Sequence, residues 1–472
     1  MAVTGTLKTF KGGHYFPRFE GTPRGRRIET APLPQRVICL TRQGFGHEAR
    51  PLVEVGQTVK SGEIIARSDG LISTPVHATV SGRVETIESC PHPRGGALTQ
   101  RIIIAADGRD NWQLLKRPKG NFEKWGPEKL GYLLYEAGVT AGGKGGFPST
   151  EHSSLASPDQ IGYLLINAVE TEPYLEGDAQ LLSQEFEKLL TGIKILRGAL
   201  GNVEVHMGLG YNRPRAVEEL QIRMEYYDWF HIHPLLPKYP QGEDEVLIKS
   251  LLDRQLPAGH TAPEIGVVAA DVQQCVAAYE AVLEGRPFIE RVISIGGSAI
   301  ERPANLRVRL GTPAGELLSA RGLRSPARII LGGPLRGVSL SDVDTPVLRD
   351  TRALVALAEP RRRLFAGMTP GFGYDSYTKI LPPLGLRAKR ATTGLNGPER
   401  PCIHCGYCLD VCPQNLLPIT LAERAEQGLL RQAEKLDIFA CIDCGLCSYV
   451  CPSKLPLASQ IAKGKAALRE GR

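Results

Sequence analysis

Eight of the chain's eleven cysteines fall into two matching quartets, PCIHCGYCLDVCP at 401–413 and ACIDCGLCSYVCP at 440–452. Both obey C-x2-C-x2-C-x3-C-P, and no other stretch constrains the fold as tightly. Three thiolates two residues apart wrap one corner of a cubane iron–sulfur cluster, and Gly406 and Gly445 let each loop curl. The fourth cysteine, carried onto the next turn and followed by proline, points away and ligates the cluster of the other quartet. The spacing therefore assigns Cys402, Cys405, Cys408 and Cys451 to one [4Fe–4S] cluster. Cys441, Cys444, Cys447 and Cys412 hold the second. Zinc would want paired C-x2-C knuckles rather than quartets.

Between the quartets, LAERAEQGLLRQAEKLDIF reads as helix, with Leu421, Leu429, Leu430 and Leu436 at helical spacing. This link is longer than a minimal ferredoxin needs, which predicts an alpha-helical ferredoxin module. Two adjacent clusters pass single electrons and make no bonds, so the module is a wire and its ends decide the function. Cys39, Cys90 and Cys275 stand alone in the sequence and read as buried and inert.

A chain of 472 residues exceeds one core and predicts three to four domains. At 42% hydrophobic and 23% charged residues it is not a disordered chain. The net charge of +7 gathers partly in Arg361-Arg362-Arg363, in Arg387-Ala388-Lys389-Arg390, and in Lys463, Lys465 and Arg469. Solvated surface charge is the plain reading of these runs; docking to acidic lipid headgroups or an acidic partner is the sharper one. No aromatic residues interleave with the charge, so nucleic acid is not an expected partner. No run of 18 uncharged apolar residues exists, so no transmembrane segment is expected. The opening MAVTGTLKTFKGG lacks the apolar core of a secretory signal, and eleven cysteines in the cytoplasm point to metal or redox work.

Ahead of the cysteines, pattern divides the chain into an N-terminal extension (1–34), a strand-rich domain (35–110), an α/β domain (111–287), a small mixed module (288–350) and a basic linker (351–395). The cluster domain follows (396–472). In 35–110, hairpin turns at Gly56, Gly62 and Gly82 separate short apolar strands, which resembles the barrel-sandwich hybrid of lipoyl and biotinyl carriers. Val76-His77 stands where a carrier presents its lysine, so no carrier role is expected. In 111–287 the chain alternates helical runs (EKLGYLLYEAGV, DAQLLSQEFEKLLTGIKILRGAL) with apolar strands (IGYLLINAV, VEVHMGLG). VVAADVQQCVAAYEAVLEG passes from strand into helix. Short strands around one helix in 288–350 predict a β-grasp-like module.

Within the α/β domain, GGKGGFPST (142–150) leaves the backbone nearly bare, so main-chain N–H groups can approach a phosphate or a flat ring. ETEPY follows at the end of strand 161–169, where ligands gather in α/β sheets. This order of parts resembles the RnfC family of the Rnf electron-transport complex. The α/β and β-grasp portions are similar to the NADH-binding flavoprotein subunit of respiratory complex I. The resemblance covers roughly residues 10–460. It rests on GGFP, NAVETEPY, KYPQGE, EIGVVAADV, NLRVRLGTP, ILGGPLRG and the two quartets.

The resemblance implies a multidomain α/β and β protein: a barrel-sandwich hybrid, a complex I flavoprotein-like α/β domain, a β-grasp module of the SLBB type and a two-cluster alpha-helical ferredoxin. It implies FMN along Gly142, Gly143, Lys144, Gly145 and Gly146, with Phe147 beside the ring. Asn167 and Glu170 would lie near the flavin, Glu172 would face the nicotinamide nucleotide, and Gly242 and Glu243 would line the opposite wall. Phe147 and Glu172 are the catalytic candidates. NAD(H) is the implied substrate, and the implied role is a peripheral oxidoreductase subunit of a membrane-bound NADH:ferredoxin complex. Such a subunit sits on the cytoplasmic face of the cell membrane, with the complex's other subunits and a ferredoxin-like carrier as partners. A soluble flavin and iron–sulfur reductase of the cobalamin reductase kind, or a relay that has lost its flavin, would share these parts. Three positions depart from the family: Lys144 replaces a glycine, His152 a lysine, and Asp271 an asparagine. An acid at 271 would work against a phosphate there.

Overall fold

The structure, a computed structural model, describes residues 7–17, 19–43, 46–68, 70, 73–139, 158–211, 214–358 and 399–470. Residues 7–17 run as a strap that bridges to Leu235 through Lys8 and to Tyr239 through His14. Strand β1 (Ile28–Thr30) follows. The barrel-sandwich comes next, from strands β2 (Arg36–Leu40), β3 (Arg50–Pro51), β4 (Thr58–Val59), β5 (Ile64–Arg67), β6 (Val76–His77), β7 (Gly82–Pro91) and β8 (Leu98–Ala106). They form one sheet in the order β2-β8-β7-β4 facing a second in the order β3-β5-β6. Alternate residues, among them Val37, Cys39, Ile65, Ile102 and Ile104, turn inward to make its core. His77 is buried there, and its Nε2 lies 2.9 Å from the Glu136 carbonyl, tying the barrel to the next domain.

That domain begins with α1 (Pro127–Glu136) and continues through β9 (Tyr163–Ala168), α2 (Gly177–Gln184), α3 (Phe186–Ala199) and β10 (Glu204–Gly210). Helix α4 (Pro214–Met224), β11 (Phe230–Leu235), α5 (Asp244–Leu252), β12 (Val267–Asp271) and α6 (Val272–Tyr279) complete it. The sheet is wholly parallel in the order β11-β10-β9-β12. Helices cover both of its faces, which is why β9 is apolar throughout rather than alternating. Leu164 and Ile166 pack toward α1, α3 and α6, whereas Leu165 packs toward α5. The long helical run 178–200 is two helices that meet at Glu185, not one.

Strands β13 (Glu290–Gly296) and β14 (Ala304–Arg309), helix α7 (Ala314–Ala320), and β15 (Ala327–Leu331), β16 (Val338–Ser339) and β17 (Ala353–Ala358) make the mixed module. Its order β14-β13-β17-β15-β16, with β13 and β17 parallel at the centre and antiparallel neighbours outside, is a β-grasp. Strand β1 joins its edge, parallel to β14.

The cluster domain holds five helices: α8 (Tyr407–Asp410), α9 (Pro418–Glu426), α10 (Leu430–Lys435), α11 (Leu446–Val450) and α12 (Leu457–Glu470). The link between quartets is α9 and α10 rather than one helix, because Gly428 turns at φ +70° and leaves Leu429 exposed. Among the described residues no helix is long and apolar enough to cross a membrane.

An apolar seam of Tyr239, Val246, Val411, Ile442, Leu446, Tyr449 and Val450 locks this domain against the α/β domain. The Tyr239 hydroxyl donates to the Cys444 carbonyl at 2.7 Å. The strap closes the seam from outside: Gly13 N–H donates to the Val411 carbonyl, and the ring of Phe16 meets those of Tyr239 and Tyr449. Gly12, at φ +75°, lies so close that a Cβ would sit 2.6 Å from the Cys412 carbonyl oxygen. Gly12→Ala is therefore expected to cost about 1–3 kcal/mol of stability by overpacking and strain. It should also lower the iron held through Cys412; thermal melts and iron assays that match the parent protein would contradict the strap's role.

Candidate functional site

Each quartet folds identically at its turn. Gly406 and Gly445 adopt φ of +75° and +76° ahead of the short helices α8 and α11. His404 and Asp443, the residues before each second cysteine, are also left-handed at +52° and +55°. The structure brings Cys412 of the first quartet together with Cys441, Cys444 and Cys447 of the second around one small cavity, walled by Leu416, Leu421, Leu446 and Ile461. Cys451 in turn lies among Cys402, Cys405 and Cys408. These soft donors fit iron–sulfur clusters. Burial raises the thiols of Cys412, Cys444, Cys447 and Cys451 and pushes Cys441 to about 11, so thiolates there need positive charge beside them, which iron supplies.

The two cluster sites differ in surroundings. Gly445 packs against protein, its absent Cβ 2.7 Å from the Leu335 carbonyl, whereas Gly406 has open space around it. Cys444 is buried and Cys405 exposed. The second-quartet loop faces inward and the first-quartet loop faces solvent. Lys465, expected to be a solvated helix-end charge, is instead buried, its Nζ donating to the Cys441 carbonyl and to Asp443. Cys39 and Cys275 are buried as expected, but Cys90 on β7 is only half-buried.

Inward of the second quartet lies a cleft of about 810 Å³. It opens beyond the carboxyl ends of β9 and β12, with the barrel-sandwich, the β-grasp and the cluster loop as its other walls. Asn167, Glu170, Glu172, Gly242 and Glu243 all line it, and so do Ile442 and Asp443 from the loop between Cys441 and Cys444. Asn167, next to last in β9, donates to the Gly242 carbonyl at 2.7 Å and accepts from Val169 N–H at 3.1 Å. A Cβ at Gly242 would stand 2.8 Å from the Val169 carbonyl, so glycine alone lets the two walls approach there. Glu170 accepts from the Asp178 and Ala179 N–H groups at the start of α2, both at 3.0 Å. Burial, reinforced by Asp178, pushes its pKa up to about 8. Glu172 accepts from the N–H groups of Leu335 and Arg336 and so latches the β15–β16 turn to the α/β domain. Glu243 pairs with Arg336. Asp244, with Glu245 and Glu243 beside it, is raised by burial to about 7.

Asp271 answers the concern that its charge would repel a phosphate. One oxygen caps α6, accepting from Gln274 N–H at 2.8 Å; the other accepts from Arg291 at 2.9 Å, with Arg352 at 3.5 Å. Burial alone would raise its pKa, but the two guanidiniums hold it below the ordinary carboxylate range, so the charge is present and neutralised. Gly142, Gly143, Lys144, Gly145, Gly146, Phe147 and His152 lie outside the described residues, as do residues 359–395 of the expected linker, whose residues 353–358 instead form β17 of the β-grasp. Tyr239, Arg336 and Arg349 also line the cleft without having stood out in the sequence; KYPQGE and ILGGPLRG marked the first two only as distinctive strings.

Three family descriptions match the chain: the RnfC barrel sandwich hybrid domain over residues 8–109, the Nuo51 FMN-binding domain over 134–280, and the 4Fe-4S dicluster domain over 401–455. The chain is 31% identical over 433 residues to the C subunit of the proton-translocating ferredoxin:NAD(+) oxidoreductase complex of Clostridium ljungdahlii, covering 91% of this chain and 87% of that one. It is 34% identical over 451 residues to the C subunit of the ion-translocating oxidoreductase complex of Rhodobacter capsulatus, covering 94% and 80%. The protein of the same description in Pseudomonas aeruginosa is 34% identical over 474 residues, and this chain spans 56% of its length.

The raised carboxyls predict a pH dependence. Glu170 and Asp244 keep their protons in the folded, ligand-free protein at pH values where the unfolded chain has released them, so stability falls as pH rises from about 5 to about 8. The slope is at most about 1.4 kcal/mol per pH unit for each group. Urea melts across this range should show it, and Glu170→Gln should remove the Glu170 share; a flat profile in the parent protein would contradict the burial argument.

Proposed function

The chain belongs to the RnfC family of ion-translocating oxidoreductase subunits, and on that premise we propose that it passes electrons between NAD(H) and partner subunits through FMN and two [4Fe–4S] clusters. The observation that carries this reading is the shared wall: Ile442 and Asp443, flanked by Cys441 and Cys444, line the same cleft as Asn167, Glu170 and Glu172. The nucleotide side and the inner cluster are therefore separated by one loop.

Bound FMN would take a hydride's two electrons and release them singly, and two clusters can accept one each. The chain's own part is to position and exclude. Asn167 and Gly242 hold the sheet end and the facing wall together, and Glu170 keeps a proton at the start of α2 near neutral pH. Glu172, through Leu335 and Arg336, fixes the β-grasp turn over the cleft. The seam around Tyr239 keeps solvent from the inner quartet, in which Cys412, Cys441, Cys444 and Cys447 are the ligands. Cys402, Cys405, Cys408 and Cys451 form the outer relay. Exposed Ile403 and Leu409 beside Cys405 give a partner subunit or a ferredoxin-type carrier an apolar landing surface. On this reading the subunit lies at the cytoplasmic face of the cell membrane, and ion translocation belongs to its partners.

NADH added without oxygen to FMN-loaded, cluster-loaded protein is expected to bleach both clusters. Cys405→Ala should leave the inner cluster reducible by NADH while losing most electron delivery to a ferredoxin-type acceptor. Clusters that stay oxidised in the FMN-loaded parent protein would overturn the function. Undiminished delivery by Cys405→Ala would overturn the inner-to-outer order.

A further inference from the structure

At the barrel-sandwich end of the cleft one buried cation stands without a counter-charge of its own. Arg349, in the turn ahead of β17, is 5% exposed and lines the cleft. Its Nη2 donates to the Pro75 carbonyl at 3.1 Å, while Nε and Nη1 have no partner among the described residues. Burial depresses its pKa to about 10, and only Asp350 opposes that shift. Asp350 is itself paired with Arg94 and more than half exposed. The neighbouring buried cations are matched: Arg291 by Asp271, and Arg309 by Asp110 and Glu290.

Other polar atoms at this end are also unspent. Among the described residues Arg42 Nε, Gln43 Oε1 and His77 Nδ1 are buried without partners, although Arg42 Nη2 lies 3.9 Å from Glu48; Arg42, Gln43 and Arg94 line the cleft with Arg349. The opposite end carries Glu172, Glu243, Asp244, Glu245 and Asp443, with Arg336 the cation among them. A cleft polarised in this way orients an anionic ligand, and a buried guanidinium with free N–H donors is costly until an anion meets it. On a flavin or nicotinamide nucleotide, the anionic groups are phosphates.

We propose that Arg349, with Arg42 also lining the cleft, forms its anion subsite and receives a phosphate of the bound nucleotide from the barrel-sandwich side. This inference rests on the nucleotide-binding role given above. The phosphate is either the monophosphate of FMN or the diphosphate of NAD(H), two sources of one chemistry.

The test uses the full chain with its clusters loaded and compares the parent protein with Arg349→Met. Affinities are measured by flavin fluorescence for FMN against riboflavin, and by titration for NADH against reduced nicotinamide riboside, which lacks phosphate. Loss of one charge-assisted contact should reduce the preference for the phosphorylated partner by about tenfold in one pair, leaving riboflavin or the riboside itself unchanged. The affected pair identifies the source. The ligand-free Arg349→Met protein should melt no lower than the parent, since it loses an unpaired buried charge, and pyrophosphate should raise the melting temperature of the parent alone. If Arg349→Met does not fold, Arg349→Lys is read by the same ratios and should show a smaller loss of preference. Both preferences intact in the folded variant would overturn this inference alone. Failure of the parent protein to bind either FMN or NADH would overturn the proposed function and this subsite with it.

Discussion

An apolar seam pins the loop carrying Cys441, Cys444 and Cys447 against the wall of the cleft, and the placement of both redox sites follows from it. Tyr239 is central: its ring packs against Phe16, its hydroxyl holds the Cys444 carbonyl, and its backbone pairs with His14 of the strap. Because the inner quartet is sealed at this seam, the outer quartet is left facing solvent, with Cys405 and Gly406 uncovered. A duplicated sequence motif thus acquires a direction from its surroundings. The two halves of the repeat differ little in sequence and greatly in what touches them.

A second constraint is electrostatic. The interface between the α/β domain and the β-grasp is buried, yet it carries Asp178, Asp271, Arg291 and Arg352. Such a junction is tolerable only when each charge is hydrogen-bonded and opposed. Gln273 helps, donating to Asp178 and to the Val292 carbonyl and accepting from Val292 N–H. The matched set keeps the end of β12 neutral overall and so leaves the cleft's polarity to be decided by groups on its two far walls.

The turn that each quartet makes was legible because it depends on local chain geometry: two-residue spacing, a glycine turn, a proline stop. The sheet was legible where strands are apolar throughout, as in β9 and β12. Strand β11 was not, because FHIHPL carries two histidines and a proline and is recognisable only once it pairs with β10. The break at Gly428 was missed because the leucines around it keep helical spacing while the backbone does not. The strap has no periodicity to read, and its glycines matter only for how close Cys412 comes. Asp271 illustrates the general limit: an acid's effect on a site depends on its partners, and Arg291 and Arg352 come from other elements, 20 and more residues along the chain.

The strap also sets an order of assembly. Its partners, Val411 and Cys412, belong to a domain synthesised long after the strap itself, and β1 must wait for β14 before it has an edge to join. The α/β sheet can close from segments close in sequence, but contacts between segments so distant in sequence are the slowest to form. The strap residues therefore stay undocked until that later domain has formed. The strap docks on the backbone of a cluster ligand, Cys412, so a chain lacking iron would be expected to hold the strap loosely and expose it to proteases.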